Sequence, residues 1–403
     1  MSSKPLTECL CCGNDNLKPV LDLGDQPLAN SYLTYPGPEP VFPLQLNVCP
    51  NCFHLQLSYA VDPDLLFKNY LYVSGTTKTL RDYFDWFANF TVSRFEGKVN
   101  TVLDIACNDG SQLNSYKSLG LETFGIDPAT NLLPLSSKEH NIICDYFTDQ
   151  YVDYYKTQNI ELITAQNVFA HNSYPLDFLK TCREILTDNG LIFIQTSQAD
   201  MIVNNEFDTI YHEHLSFFCI NSMNELVKRA GLYLIDVVKT PIHGNSFVFV
   251  ISKENKVSAN LATMLNDEKH NGLYDLNTYV KYAARCKEIT DDLVSQIDHY
   301  RQTGKKVIGY GAAAKGMTVL NYGKIQLDFI IDDNKLKQGL FTPGMHIPIM
   351  SIDELDKLTE LPSVVFVPLA WNFFDEIQKR IRSKRDNSDD VYIRYFSLKS
   401  YNN

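Results

Sequence analysis

Val99-Asn100-Thr101-Val102-Leu103-Asp104-Ile105-Ala106-Cys107-Asn108-Asp109-Gly110 runs from apolar and β-branched residues into an acid, small residues and a glycine. Residues 99–106 read as a strand that delivers a turn at its carboxyl end. Working outward, Glu122–Asp127, Ile160–Gln166 and Leu191–Thr196 read as further strands. Segments near 111–119, 129–139 and 173–187 read as the helices between them. Strands separated by helical patterns imply βαβ units, so an α/β protein with a parallel, doubly wound sheet is expected.

Ligands of such sheets bind at the carboxyl ends of the strands. Asp104, Ala106, Asn108 and Gly110 lie at the end of the first strand, where small residues let a ligand approach the backbone. Asp127, in Gly125-Ile126-Asp127-Pro128, closes the second strand and can accept hydrogen bonds from both hydroxyls of a ribose. Asp145-Tyr146-Phe147 follows the third strand, in position to flank an adenine ring, and Gln166-Asn167 ends the fourth. No complete G-x-G-x-x-G is present there to cradle a pyrophosphate. The set therefore points to S-adenosylmethionine rather than a dinucleotide; the alternative is a plain glycine turn with solvated acids.

A second glycine pattern follows a long helical stretch, roughly 258–303, and a strand at Lys305–Tyr310. Gly309-Tyr310-Gly311-Ala312-Ala313-Ala314-Lys315-Gly316 has the G-x-G-x-x-A form, with Asp332-Asp333 about twenty residues further on. By itself it favours NAD and an oxidoreductase. The same geometry holds other diphosphates at a helix N-terminus, with Lys315 adding charge, or serves packing alone.

At the N-terminus, Cys9-Leu10-Cys11-Cys12 and Cys49-Pro50-Asn51-Cys52 form two C-x-x-C pairs. Such pairs place four thiolates in a closed tetrahedral site, so one structural zinc on Cys9, Cys12, Cys49 and Cys52 is expected. Gly13 and Asn51 supply the permissive turn positions; Cys11 and His54 are minority alternatives as ligands. Cys107, Cys144, Cys182, Cys219 and Cys286 are dispersed and read as core residues.

Between the two glycine patterns lies Ile210-Tyr211-His212-Glu213-His214-Leu215. A phenol, two imidazoles and a carboxylate suit general acid/base work on a weakly acidic proton. The histidines, two apart, cannot share a helix face as in a zincin. With 403 residues, two or three domains are expected. Composition is that of a globular protein, 44% hydrophobic and 21% charged. The net charge of −12 speaks against nucleic acid, though not against a small anion in a local basic site. No apolar run reaches bilayer length and no secretory signal is visible, so a cytoplasmic enzyme with reduced thiols and no membrane partner is expected, favoured as a monomer.

Taken in order, these pieces resemble the deoxysugar C-methyltransferases that act on nucleotide-linked 4-keto-6-deoxyhexoses. The resemblance extends over nearly the whole chain. It includes the cysteine pairs, Leu21-Asp22-Leu23-Gly24, Pro27-Leu28-Ala29-Asn30 and Tyr70-Leu71-Tyr72-Val73-Ser74-Gly75. It continues through Cys107-Asn108-Asp109-Gly110, Asn167-Val168-Phe169-Ala170-His171 and Tyr211-His212-Glu213-His214. It ends with His243-Gly244-Asn245-Ser246, Gly309-Tyr310-Gly311-Ala312 and Pro343-Gly344-Met345-His346-Ile347-Pro348. The resemblance implies an N-terminal zinc module (1–75), a class I S-adenosylmethionine methyltransferase sheet (76–255) and a C-terminal Rossmann-like domain for the nucleotide sugar (256–403). It implies methylation at C3, beside the ketone, with catalytic roles on Tyr72, His171, Tyr211, Glu213 and His214. His214 is the expected base, oriented by Glu213; His243, Asn245, Lys315 and Asn372 are expected to contact the substrate. Relatives that methylate C5 or a sugar oxygen are the alternatives, and dTDP and GDP are both open. Ala106 and Asn245 stand where the family has glycine.

Overall fold

The computed structural model of the chain describes residues 2–67, 73–76, 78–197, 200–242 and 245–396. The apolar runs of the middle region become β1 (Thr101–Ile105), β2 (Glu122–Ile126), β3 (Asn141–Ile143), β4 (Leu162–Gln166), β5 (Leu191–Ser197), β6 (Tyr233–Thr240) and β7 (Ser246–Ser252). They form one seven-stranded sheet in the order β6-β7-β5-β4-β1-β2-β3. β1 is buried along its whole length, as a strand covered on both faces must be.

The sheet is not wholly parallel, contrary to the sequence expectation. β3, β2, β1, β4 and β5 run parallel, whereas β7 runs antiparallel to both neighbours. The connection from β6 to β7 is too short for a crossover helix, so the chain returns antiparallel. This mixed sheet is the class I S-adenosylmethionine methyltransferase fold.

Helices Ser111–Ser118 and Pro175–Ile185 lie where the sequence placed them. The 129–139 helix shrinks to one turn, Leu133–Ser136. Pro134 has no amide to donate, and the hydroxyls of Ser136 and Ser137 both bond back to the Leu133 carbonyl. The 258–303 helix is two, Ala259–His270 and Leu276–Gln302. Gly272 turns the chain at φ 74°, and the Asp275 carboxylate caps the second helix by accepting from Asn277 N–H.

A five-stranded parallel sheet follows, in the order Ile349–Met350, Ile330–Ile331, Lys306–Tyr310, Val364–Pro368, Val391–Tyr392. At the other end of the chain, Lys18–Pro27, Val41–Val48 and Leu55–Leu57 make an antiparallel sheet. Its fourth strand, Ser216–Phe217, comes from just past Tyr211–His214 and pairs with Leu55–Gln56. One apolar cluster runs through Leu46, Leu57, Ile210, Phe217, Leu320 and Val367. The segment carrying the histidines is therefore packed between the N-terminal and C-terminal sheets. Among the described residues, no helix is long and apolar enough to cross a membrane.

Candidate active site

The turn after β1 alternates left-handed residues: Ala106 (φ 59°), Asn108 (φ 51°) and Gly110 (φ 81°). Asn tolerates this region through its short polar side chain; Ala does so at a cost of about 1–2 kcal/mol. Ala106 and Asn108 line a cavity of about 810 Å³ at the carboxyl ends of β1, β2 and β4. Asp104, Asp127, Asp145, Tyr146, Phe147, Gln166, Asn167 and His171 line it too. Gly110 does not; it starts the helix Ser111–Ser118, and a Cβ there would meet His140 and Ser136 at 3.1 and 3.2 Å.

The three cavity acids singled out from the sequence, Asp104, Asp127 and Asp145, are fixed by donors. Asp127 accepts from Asn108 N–H (2.9 Å) and Ala129 N–H (2.8 Å), while burial pushes its carboxyl up. Asp104 accepts from the Thr164 hydroxyl at 2.6 Å, and burial, outweighing that bond, pushes it up to about 7. Asp145 is held below the usual carboxylate range by the Tyr151 hydroxyl. Gln166 donates to Gln112 (2.9 Å), and among the described residues its own buried side-chain oxygen has no hydrogen-bond partner. Lining residues that carried no sequence signal include Phe67 and Gln112, while Ser74 comes from a stretch that carries the family resemblance. Ser74 and Gly75 amides donate to the Asn108 and Asp109 side chains and bring residues 73–76 onto the β1 turn.

From this cavity a ladder of rings leads to the histidine segment. Phe67 stacks on His171 (centroids 5.4 Å, 7° between planes), and His171 lies 5.2 Å from His214. The Tyr211 ring follows at 4.1 Å from His214. Desolvation pushes His171 down to about 4, so its imidazole is neutral at pH 7. His214 Nδ1 faces the Thr209 carbonyl at 2.8 Å, and its Nε2 faces the Tyr211 hydroxyl at 3.0 Å. A carbonyl only accepts, so Nδ1 carries the proton and Nε2 presents its lone pair to the phenol.

The sequence has Glu213 orienting His214; among the described residues His214 hydrogen-bonds to Thr209 and Tyr211, and Glu213 bonds instead to Asn30. Tyr211–His214 is a turn closed by the His214 amide on the Tyr211 carbonyl (2.9 Å), and from it the Glu213 carboxylate faces the N-terminal unit, accepting from Asn30 Nδ2 at 2.6 Å. Glu213 is 5% exposed, and burial pushes it up to about 7. His212 faces the N-terminal sheet, with Nε2 3.1 Å from the Phe42 carbonyl. Tyr72 and His243 lie outside the described residues.

Asn245 adopts φ 78°, which accounts for a glycine at this position in relatives, and its amide donates to Asp200. Lys315 reaches Trp371, and Asn372 is the next residue of that Trp371–Phe373 turn. The Lys315 ammonium lies 5.5 Å from the Trp371 ring and acts electrostatically on buried Glu206 and Asp208. Trp371 Nε1–H donates to Asp208 at 2.6 Å.

The second glycine turn is accounted for by packing. A Cβ on Gly309, Gly311 or Gly316 would meet Ile330, Ala370 or Leu369 at 2.8–3.0 Å. Its backbone is also taken: Ala312 N–H donates to Asp332, and the Ala312 carbonyl accepts from Tyr32 and Lys337.

In the N-terminal unit the sulfurs of Cys9, Cys12, Cys49 and Cys52 lie within 4.8 Å of one another, with Cys9–Cys52 and Cys12–Cys49 at 3.5 Å. A tetrahedral ion with metal–sulfur bonds of ~2.3 Å needs sulfurs ~3.8 Å apart, so the set fits zinc. Cys11 and His54 are not in the cluster, and His54 instead faces Ser216. Gly13 (φ 78°) makes the first turn as expected; Phe53 (φ 60°), not Asn51, takes the left-handed position in the second.

Residues 9–67 match the family described as "Putative zinc binding domain", 78–237 "Methyltransferase domain" and 241–393 "C-methyltransferase C-terminal domain". The chain is 30% identical over 390 residues to C-methyltransferase NovU of Streptomyces niveus, covering 93% of this chain and 92% of that protein. It is 22% identical over 173 residues to a ubiquinone biosynthesis O-methyltransferase of Burkholderia thailandensis, covering 39% of this chain and 75% of that one. A solved S-adenosylmethionine-dependent methyltransferase from Clostridium acetobutylicum superposes with a TM-score of 0.35 at 11% identity, over 43% of this chain and 92% of that one.

Proposed function

Because this chain belongs to the C-methyltransferase family of NovU, we propose that it moves the methyl group of S-adenosylmethionine to C3 of a nucleotide-linked 4-keto-6-deoxyhexose. The observation that carries the reading is the ring ladder from the cofactor-sized cavity, through Phe67 and His171, to His214 and Tyr211. It joins a methyl-donor site to a base poised for carbon acid chemistry.

Asp127 would hold the ribose hydroxyls, Tyr146 and Phe147 the adenine, and the β1 turn the remaining polar end. The bound cofactor supplies an electrophilic methyl on a sulfonium. The chain's own work is to make carbon nucleophilic. A ketone at C4 acidifies the C3 proton, and His214 Nε2 takes it once the Tyr211 hydroxyl turns to the C4 oxygen. Thr209 keeps the proton on Nδ1 and so holds the productive tautomer. Neutral His171, with Tyr72 from the family resemblance, would hydrogen-bond to the oxygen as charge develops. Lys315 and Asn372 lie beside the turn after Val364–Pro368, at the switch point of the second sheet, where the nucleotide half would rest. His243 and Asn245 would contact the sugar. Zinc on the four cysteines is structural in this reading; elemental analysis should find about one per chain, lost in Cys49→Ser.

The test is hydrogen exchange without the methyl donor. In deuterated water the protein should wash deuterium into C3 of a 4-keto-6-deoxyhexose nucleotide. Methyl transfer to a sugar oxygen with no C3 exchange would overturn the carbon acid mechanism.

A further inference from the structure

Hydrogen bonds from the neighbouring units fix the chain around the proposed base. The C-terminal unit supplies one, Thr318 Oγ1–H to the Ile210 carbonyl at 2.9 Å. Among the described residues the others come from the N-terminal unit: Asn30 Nδ2 to Glu213, His212 Nε2 to the Phe42 carbonyl, the Leu57 amide to the Leu215 carbonyl, and His54 with the Ser216 hydroxyl. Of these, only the Asn30 bond ends on a carboxylate. Among the described residues, Asn30 Nδ2 is the one hydrogen-bond donor on Glu213, and no Lys or Arg pairs with it. A buried carboxylate needs such a donor to remain ionised.

We infer that Asn30 is a positioning residue of the methyl-transfer site, acting through Glu213 and so coupling the cysteine-rich unit to the chemistry of its neighbour. The inference rests on the function proposed above. The Asn30 amide holds the carboxylate on the N-terminal side of the segment, which leaves His214, one residue on, turned toward Tyr211 and His171. It also favours the ionised carboxylate against burial, which by itself drives Glu213 toward its neutral form. Among the described residues the titratable groups around Glu213 are Tyr32 from the N-terminal unit and Tyr211, His212 and His214 from its own segment. Asp332 reaches the same region through Tyr32, whose phenol is pushed up by burial and by the charges of Asp332 and Glu213. None of these supplies a fixed positive charge that could replace the amide.

The experiment combines an infrared titration with a pH–rate profile for wild type, Asn30→Ala, Asn30→Asp and Glu213→Gln. The Glu213 carboxyl band is identified as the one absent from Glu213→Gln. In Asn30→Ala it should titrate about one to two pH units higher than in wild type, and at least as high in Asn30→Asp. The acid limb of kcat should move with it, while cysteine-site metal content and S-adenosylmethionine affinity stay at wild-type values. A band that does not move in Asn30→Ala, or that moves while the acid limb stays, would overturn the inference. If wild type transfers no methyl group to any keto-sugar nucleotide, the proposed function fails. The infrared titration, which needs no substrate, still decides whether Asn30 controls Glu213.

Discussion

Two turns in this chain follow the first strand of an α/β sheet, and they have opposite fates. The turn after β1 has one glycine among its three left-handed residues, and a cavity of about 810 Å³ opens over it. The turn after Lys306–Tyr310 has the better glycine fingerprint, and its glycines are filled against Ile330, Leu369 and Ala370. Both acids accept from an amide of their own turn, Asp332 from Ala312 N–H and Asp127 from Asn108 N–H, but Asp127 also lies on the wall of the cavity. A glycine pattern thus reports a tight turn. Whether the turn serves a ligand depends on the space above it.

The largest effect that would sharpen this contrast lies next to the first turn. His214→Asn should slow methyl transfer about 10²–10⁴-fold with S-adenosylmethionine affinity intact, because a carboxamide of similar reach cannot take the proton. His212→Asn, on the face toward Phe42, should cost far less turnover; steady-state kinetics on both variants would expose a wrong choice of histidine. Next comes the paired acid test by calorimetry. Asp127→Ala should weaken S-adenosylmethionine about 10- to 150-fold, the loss of about 1.5–3 kcal/mol of charge-assisted hydrogen bonding. Asp332→Ala should leave it within about twofold. Equal losses at the two sites would break the comparison.

Smaller effects follow from the backbone. Ala106→Gly should stabilise the fold by about 0.5–1 kcal/mol, since glycine accepts φ 59° without strain. Gly311→Ala should destabilise by about 1–2 kcal/mol, because φ is 88° and a Cβ would sit 3.0 Å from Ala370 Cβ. Denaturant unfolding of the two variants gives the signs directly.

The least local effect is pH dependence. Burial pushes Asp104, Glu206, Glu213 and Glu268 up to about 7 each. Between the unfolded carboxyl pKa and 7 the folded state therefore binds more protons, and stability falls as pH rises through that window. Asp236 and Asp145, held low, act oppositely and only in more acidic solution. The Tm should be higher at pH 6 than at pH 8, by a stability difference on the order of 1 kcal/mol or more. A Tm that rises toward pH 8 would contradict the buried-carboxylate account.

How much was legible follows from the range of each interaction. β1, β2, β4 and β5 were readable because full burial demands unbroken apolar runs, and the cysteine pairs because zinc-type knuckles are local. Asp127 and His171 sit on the cavity at positions that strand ends or family resemblance marked. The Asn30–Glu213 bond spans 183 positions and joins two units, so no local pattern announces it. The partner of His214 Nδ1 is a backbone carbonyl, which carries no residue identity at all. The antiparallel β7 depends on the length of one connection rather than on strand composition.

The central claim is that the cavity over the β1 turn supplies a methyl group to a carbon beside a ketone. Incubation with S-adenosylmethionine carrying a ¹³C-methyl group and a panel of dTDP- and GDP-linked 4-keto-6-deoxyhexoses tests it most directly. Carbon NMR of the product should show the labelled methyl bonded to C3 of one of these sugars, with no nicotinamide cofactor added. A label on oxygen, or no transfer to any sugar while NAD is consumed, would contradict the account.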